Sequence, residues 1–125
     1  MKRFMLIPAI VVLNMFAAFS PAVAEKWQSD YGPISIIRND DGVFEATYSK
    51  YPGGYIYLKN KGEGSTWTGY WRQDTSEEKC DTQKGGSFYH GKLVVRSMES
   101  GPYAFKGYWT YCDSNTSMGD WRAWE

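Results

Sequence analysis

The chain is short of the residues from which most active sites are built. It carries one histidine and two cysteines in 125 residues, and its 14 basic side chains are cancelled by 14 acidic ones. A balance of zero removes the bulk positive field on which binding to nucleic acid or anionic membrane rests. One histidine and two cysteines at unrelated spacing make a poor zinc pattern, and the acidic residues match no EF-hand loop. Beyond residue 24, leucine, isoleucine and valine are sparse, so another residue class must build the core. Helical periodicity is missing as well: Gly, Pro, Asn, Asp and Ser interrupt short alternating runs of β-formers throughout. No cofactor, metal or catalytic constellation is expected.

What is present begins with a leader-like segment. Lys2 and Arg3 precede an apolar run over 4–19 that is broken only by Pro8 and Asn14, and Ala22-Val23-Ala24 follows with the small-x-small pattern of a cleavage site. The expectation is a signal peptide over 1–24, cut between Ala24 and Glu25. A single domain over 25–125 would then be exported to the periplasm or the exterior, with no stable membrane insertion. Loss of Lys2 and Arg3 lowers the 14 basic residues to 12 against 14 acidic, a net charge of −2. All six Trp and all ten Tyr remain with Phe44, Phe88 and Phe105, so rings supply the core. A domain of this size buries a modest fraction of its surface and gains from a covalent staple. Cys80 and Cys112, in an export context, are expected to provide it as a disulfide.

One pattern recurs three times: aromatic, any residue, small residue, any residue, aromatic. It reads Phe44-Glu45-Ala46-Thr47-Tyr48, then Trp67-Thr68-Gly69-Tyr70-Trp71, then Phe105-Lys106-Gly107-Tyr108-Trp109. Alternation puts the first, third and fifth positions on one face of a strand. The small residue leaves a notch that a neighbouring ring can fill. Strands are expected over 33–38, 43–49, 55–59, 65–72, 87–96, 103–111 and 120–125, with 27–31 as a bent lead-in and 39–42 as the first turn. The fold class is therefore all-β: a small antiparallel up-and-down meander of seven to eight strands, forming a barrel or strongly curled sheet with one disulfide. In strand order and turn spacing it resembles the avidin and lipocalin type of meander, although no motif of either is matched residue by residue.

Chemistry is harder to locate. His90 is framed by no nucleophile elbow, and a strand histidine with a satisfied or solvated ring is expected. Asp74, Glu77, Glu78 and Asp81 fall on one long loop among Arg72, Lys79 and Lys84, as solvated loop charge does. The meander puts the loop around Cys80 and the loop after Cys112 at one end, together with Tyr48, Tyr51, Trp71, Trp109 and Tyr111. Rings and polar groups on a rigid scaffold suit the anchoring of a protein or the stacking of a sugar. The expected function is a non-enzymatic exported binding module of the inhibitor or immunity kind. It would recognise a protein partner through Tyr51, Trp71, Lys79, Asp81, Trp109, Tyr111 and Asp113. The alternatives are a glycan-binding module with an aromatic rim and a small-ligand-binding barrel. Against the last, so many inward rings are expected to fill a small barrel.

Overall fold

The computed structural model describes residues 25–62 and 64–125, so the expected signal peptide lies outside the described residues. Eight strands follow one another in chain order: β1 (Lys26–Ser29), β2 (Ile34–Asp40), β3 (Val43–Tyr48), β4 (Gly54–Lys59), β5 (Thr66–Gln73), β6 (Tyr89–Ser97), β7 (Phe105–Trp109) and β8 (Gly119–Trp124). They form a closed barrel in which β1 pairs with both β2 and β8, all neighbours antiparallel. The segment over 27–31 is thus more than a lead-in, since most of it belongs to the strand that closes the barrel. The C-terminal half of β8 is thereby paired on both sides, through Gln28–Trp124, Ser29–Ala123 and the bond from Asp30 N–H to Arg122 O.

The closure is pinned by side chains as well as by the ladder. Asp30 Oδ2 accepts from the Arg122 backbone N–H at 2.8 Å and from Arg122 Nε at 2.9 Å, while Arg122 Nη2 donates to Oδ1 at 3.1 Å. This two-toothed pairing holds the Asp30 carboxyl below its ordinary pKa, chiefly through the hydrogen bond from Arg122, against the opposing effect of burial.

Local geometry explains where strand boundaries depart from expectation. Asn39 and Asp40 belong to β2, because the turn needs only two residues: Asp41 and Gly42 have φ of 51° and 73°. Two successive positive φ values describe the primed hairpin turn whose twist matches the flanking strands. Further back, the register with β3 slips between Ile36 and Arg38. Ile37 is the extra residue of this bulge, and it is 61% exposed between the buried Ile36 and the solvent.

The threefold repeat acquires its meaning from the topology. Its copies lie on β3, β5 and β7, alternate strands that run in the same direction. All three first rings therefore gather at one end of the barrel, and all three fifth rings at the other. At the first end Trp27 stacks on Phe44 with centroids 5.7 Å apart, and Phe105 meets both rings at 6.2 Å. Trp67 packs against the core beside them. This is the base. The middle layer is aliphatic or small, with Ala46, Ile56, Leu58, Leu93 and Ala123 fully or almost fully buried. Gly107 pairs with Trp121 and Val95, and Gly69 with Leu58 and Leu93; at both, the space a Cβ would need is taken by the neighbouring strand, by Val94 and Val95 at Gly107 and by Tyr57 and Leu58 at Gly69. On β4, Ile56 and Leu58 point inwards, while Tyr55 and Tyr57 lie on the outer wall with Tyr70.

Candidate functional site

The end opposite the base carries the β1–β2, β3–β4, β5–β6 and β7–β8 connections, and it is stapled. Cys80, in the long β5–β6 loop, is bonded to Cys112, just after β7, with Cα atoms 5.5 Å apart. Backbone bonds reinforce the link: Cys80 N–H donates to Phe88 O and Cys112 N–H to His90 O, each at 2.8 Å. His90 lies on the outer wall under the same loop, 2% exposed, and its Nε2 donates to the Thr82 carbonyl at 2.8 Å. The histidine thus ties down the loop. Its ring is committed to that carbonyl and does not line the barrel interior.

Inside this end is a half-enclosed cup of about 410 Å³. Seven rings line it: Tyr31, Tyr48, Tyr51, Trp71, Trp109, Tyr111 and Trp121. Gln73, Thr75, Ser76 and Glu77 add polar groups from the end of β5 and the loop beyond. Rings fill the base of the barrel and aliphatic or small residues its middle, but the upper rings leave this end open, against the filled interior expected from so many inward rings.

The reason is visible in the register. Each fifth ring of the repeat is paired with a glycine on the next strand: Tyr48 with Gly54, Trp71 with Gly91 and Trp109 with Gly119. A Cβ at position 54 would stand 2.6 Å from Tyr48 Cδ2, and one at position 91 would stand 2.6 Å from Trp71 Nε1. At position 119 the distance to Trp109 Nε1 would be 3.3 Å. At positions 54 and 91 the rings, together with the Tyr48 and Thr110 carbonyls, take the space a Cβ would claim, and at 119 the approach is tight, so the rings lie back against the wall.

Hydrogen bonds then fix their orientation. Trp71 Nε1 donates to the Thr110 carbonyl at 3.0 Å, and Trp109 Nε1 donates to the Tyr31 hydroxyl at 2.8 Å. Edge-to-face contacts connect the rings into a continuous lining. Tyr48 meets Trp121 at 5.1 Å and 86°, Trp121 meets Tyr31 at 4.8 Å, Tyr31 meets Trp109 at 89°, and Trp109 meets both Trp71 and Tyr111 near 90°. Edge-to-face pairs contribute about 0.5–1.5 kcal/mol each beyond the area they bury. The cup is preformed.

Its electrostatics are simple. Burial raises the Tyr48 hydroxyl far above the ordinary phenol range, and desolvation also raises Tyr111. Both remain neutral donors and acceptors at any physiological pH. Trp121 is 3% exposed, and its Nε1 has no hydrogen-bond partner among the described residues. Glu77, exposed at the lip, is the one charged residue of the lining among the described residues. Those residues contain no group of three or more His, Cys, Asp or Glu side chains placed to hold a metal ion.

Of the residues singled out from sequence, Tyr51, Trp71, Trp109 and Tyr111 meet in the cup. Lys79, Asp81 and Asp113 are exposed and do not line it; Lys79 sets its ammonium 5.2 Å from the Phe88 ring centroid instead. Tyr31, Trp121 and Glu77 belong to the lining but had no distinguishing local pattern. Only the inward parity of Trp121 with Ala123, against an outward Trp124, hinted at its place. No family model, no curated protein and no solved structure matches the chain.

Proposed function

We propose that the protein is a non-enzymatic binding module, exported to an oxidising compartment, that receives its ligand in the aromatic cup. The observation that carries this reading is the cup itself: a preformed cavity of about 410 Å³ in a barrel otherwise packed to its axis. Small-molecule sites are typically concave, largely apolar and some 300–1,000 Å³ in volume, with a few placed polar groups. Rings held by glycine partners, indole hydrogen bonds and a disulfide have little freedom left to lose on binding. The Cys80–Cys112 bond supports the oxidising compartment. The exposed Lys79, Asp81 and Asp113 favour a loop-borne protein contact less than the cup favours capture of a small group, whether free or carried on a larger partner.

The test is capture from the exported fraction with the disulfide-bonded protein as bait, read by native mass spectrometry for small ligands and by gel for polypeptides. Two variants accompany it: Ser76→Trp, which crowds the mouth, and Tyr111→Ala, which removes part of the wall. A ligand or partner held by the parent and lost by both variants is the expected result. Equal retention by all three would place recognition elsewhere on the surface and end this reading.

A further inference from the structure

The chemistry of the lining narrows the ligand. Seven rings bound the cup, and several of them are mutually perpendicular, so the lining is dominated by aromatic surface in more than one orientation. An aromatic face is the negative pole of a quadrupole and attracts a positive charge within about 6 Å of its centroid. Among the described residues no Lys or Arg lines the cup, and the one charge of its lining is the Glu77 carboxylate at the lip. An anion entering here would lose its water and meet the Glu77 carboxylate, with the Lys50 ammonium only at the rim beside Tyr51. A neutral sugar could use Gln73, Thr75, Ser76 and the tyrosine hydroxyls, and is the rival that the third probe below tests. Exposed Lys50, outside the lining, already holds its ammonium 5.8 Å from the Tyr51 centroid, a contact of the same kind at the rim.

Resting on the cup as the binding site, we infer that its ligand class is an organic cation, and specifically a methylated quaternary ammonium group. The choice of quaternary over primary ammonium follows from desolvation. A primary ammonium brings three donors, each needing an acceptor, whereas seven of the eleven lining residues are aromatic and the remaining polar side chains, Gln73, Thr75, Ser76 and Glu77, come from the end of β5 and the loop beyond. A trimethylammonium group spreads its charge over methyl surface, gives up little hydration and fills apolar space. Glu77 then supplies the countercharge from the lip without entering the apolar floor. The neutrality of the Tyr48 and Tyr111 phenols is consistent with this, since the rings contribute quadrupole and hydroxyl dipoles rather than phenolate charge.

The experiment compares choline with 3,3-dimethylbutan-1-ol, the same shape with carbon in place of nitrogen. Binding to the disulfide-bonded protein is read by tryptophan emission and by calorimetry, with a neutral disaccharide as a third probe. Choline should bind at least about tenfold tighter than its neutral isostere, equivalent to about 1.4 kcal/mol. Glu77→Gln should weaken choline severalfold and leave the isostere unchanged. Trp109→Phe, which keeps a π face, should retain more choline affinity than Trp109→Leu, with circular dichroism confirming that each variant is folded. Equal binding of choline and isostere would overturn the cation inference while leaving the cup as an apolar ligand site. Binding of the disaccharide alone would overturn it in favour of a glycan. If none of the three probes binds, the cation inference falls, whereas the cup as binding site is judged separately by the Ser76→Trp capture result.

Discussion

Breaking the Cys80–Cys112 bond is the perturbation whose size follows most directly from the structure. The two cysteines are 32 residues apart in sequence, so the bond closes a loop of about 33 residues. In the chain-entropy treatment, withholding that closure from the unfolded state stabilises the fold by about 3.7 kcal/mol at 25 °C. Cys80→Ala with Cys112→Ala should therefore lower the free energy of unfolding by about 3–4 kcal/mol. For a domain of this size the midpoint temperature should fall by roughly 15–25 °C. Since single domains typically hold about 5–15 kcal/mol in all, the variant should still fold. Urea unfolding followed by tryptophan emission measures the difference. Treatment of the parent with a mild reductant removes the bond with no change of side chain, and should give the same loss. The competing possibility is that the loop is held by its other ties, namely the Cys80–Phe88 and Cys112–His90 backbone bonds and the His90–Thr82 contact. A loss below about 1 kcal/mol in both forms of the experiment would show that those ties suffice and refute the closure argument.

Three further outcomes are expected. Gly107→Ala would drive a Cβ to 2.6 Å from Val95 Cα and against the Val94 carbonyl, and should cost about 1–3 kcal/mol by overpacking; Lys106→Ala beside it, exposed on the outer wall, should stay within about 0.5 kcal/mol in the same urea titration. Tyr48 has a folded-state pKa raised by burial, so its stabilisation is complete below the unfolded phenol value of about 10 and declines as pH rises beyond it. Tyr48→Phe should reduce the alkaline slope of stability by about 1.4 kcal/mol per pH unit, and an unchanged slope would show that Tyr48 ionises freely in the folded barrel. Asp30 has the opposite sign: its folded pKa is depressed, so its contribution is complete above the unfolded value of about 3.9 and is lost as pH falls. Asp30→Asn should flatten the acid limb of the stability profile while costing stability at neutral pH, and an acid limb identical to the parent's would dismiss the Arg122 pairing as a source of stability.

The meander, the disulfide and the inward rings were legible because each has a local signature. Alternation reports strand faces, turn residues report strand ends, and paired cysteines in an export context report a bond. The cup was not legible, for three physical reasons. The repeat shows which residues share a face, but only a closed antiparallel order shows that β3, β5 and β7 run the same way and so sort their rings into base and cup. Gly54, Gly91 and Gly119 look like turn residues or strand interruptions; their role as backing for Tyr48, Trp71 and Trp109 depends on cross-strand register, which no short window contains. The loop charges divide without local warning: Glu77 turns towards the lip while Lys79 and Asp81, a few residues on, face solvent. Tyr31 was overlooked because β1 is only four residues long and is followed by Asp30 and Gly32, which break its alternation.

The seam between β1 and β8 has a consequence for how the molecule comes into being. Gln28 pairs with Trp124 and Ser29 with Ala123, contacts that span nearly the whole described chain, whereas all other strand pairs join consecutive segments. The entropic cost of bringing ends together grows with the length between them, and contacts of high sequence separation slow folding. The seven consecutive pairings can assemble outward from any hairpin, but the eighth must wait for both ends. An open ribbon of consecutive pairs would leave the β1 edge and the Asp30 carboxylate without their partners; joining β1 to β8 closes the sheet and brings Asp30 onto Arg122 together. The seam is therefore the strand pairing with the largest entropic cost in the barrel, and the Asp30–Arg122 contact stands where that cost has to be offset.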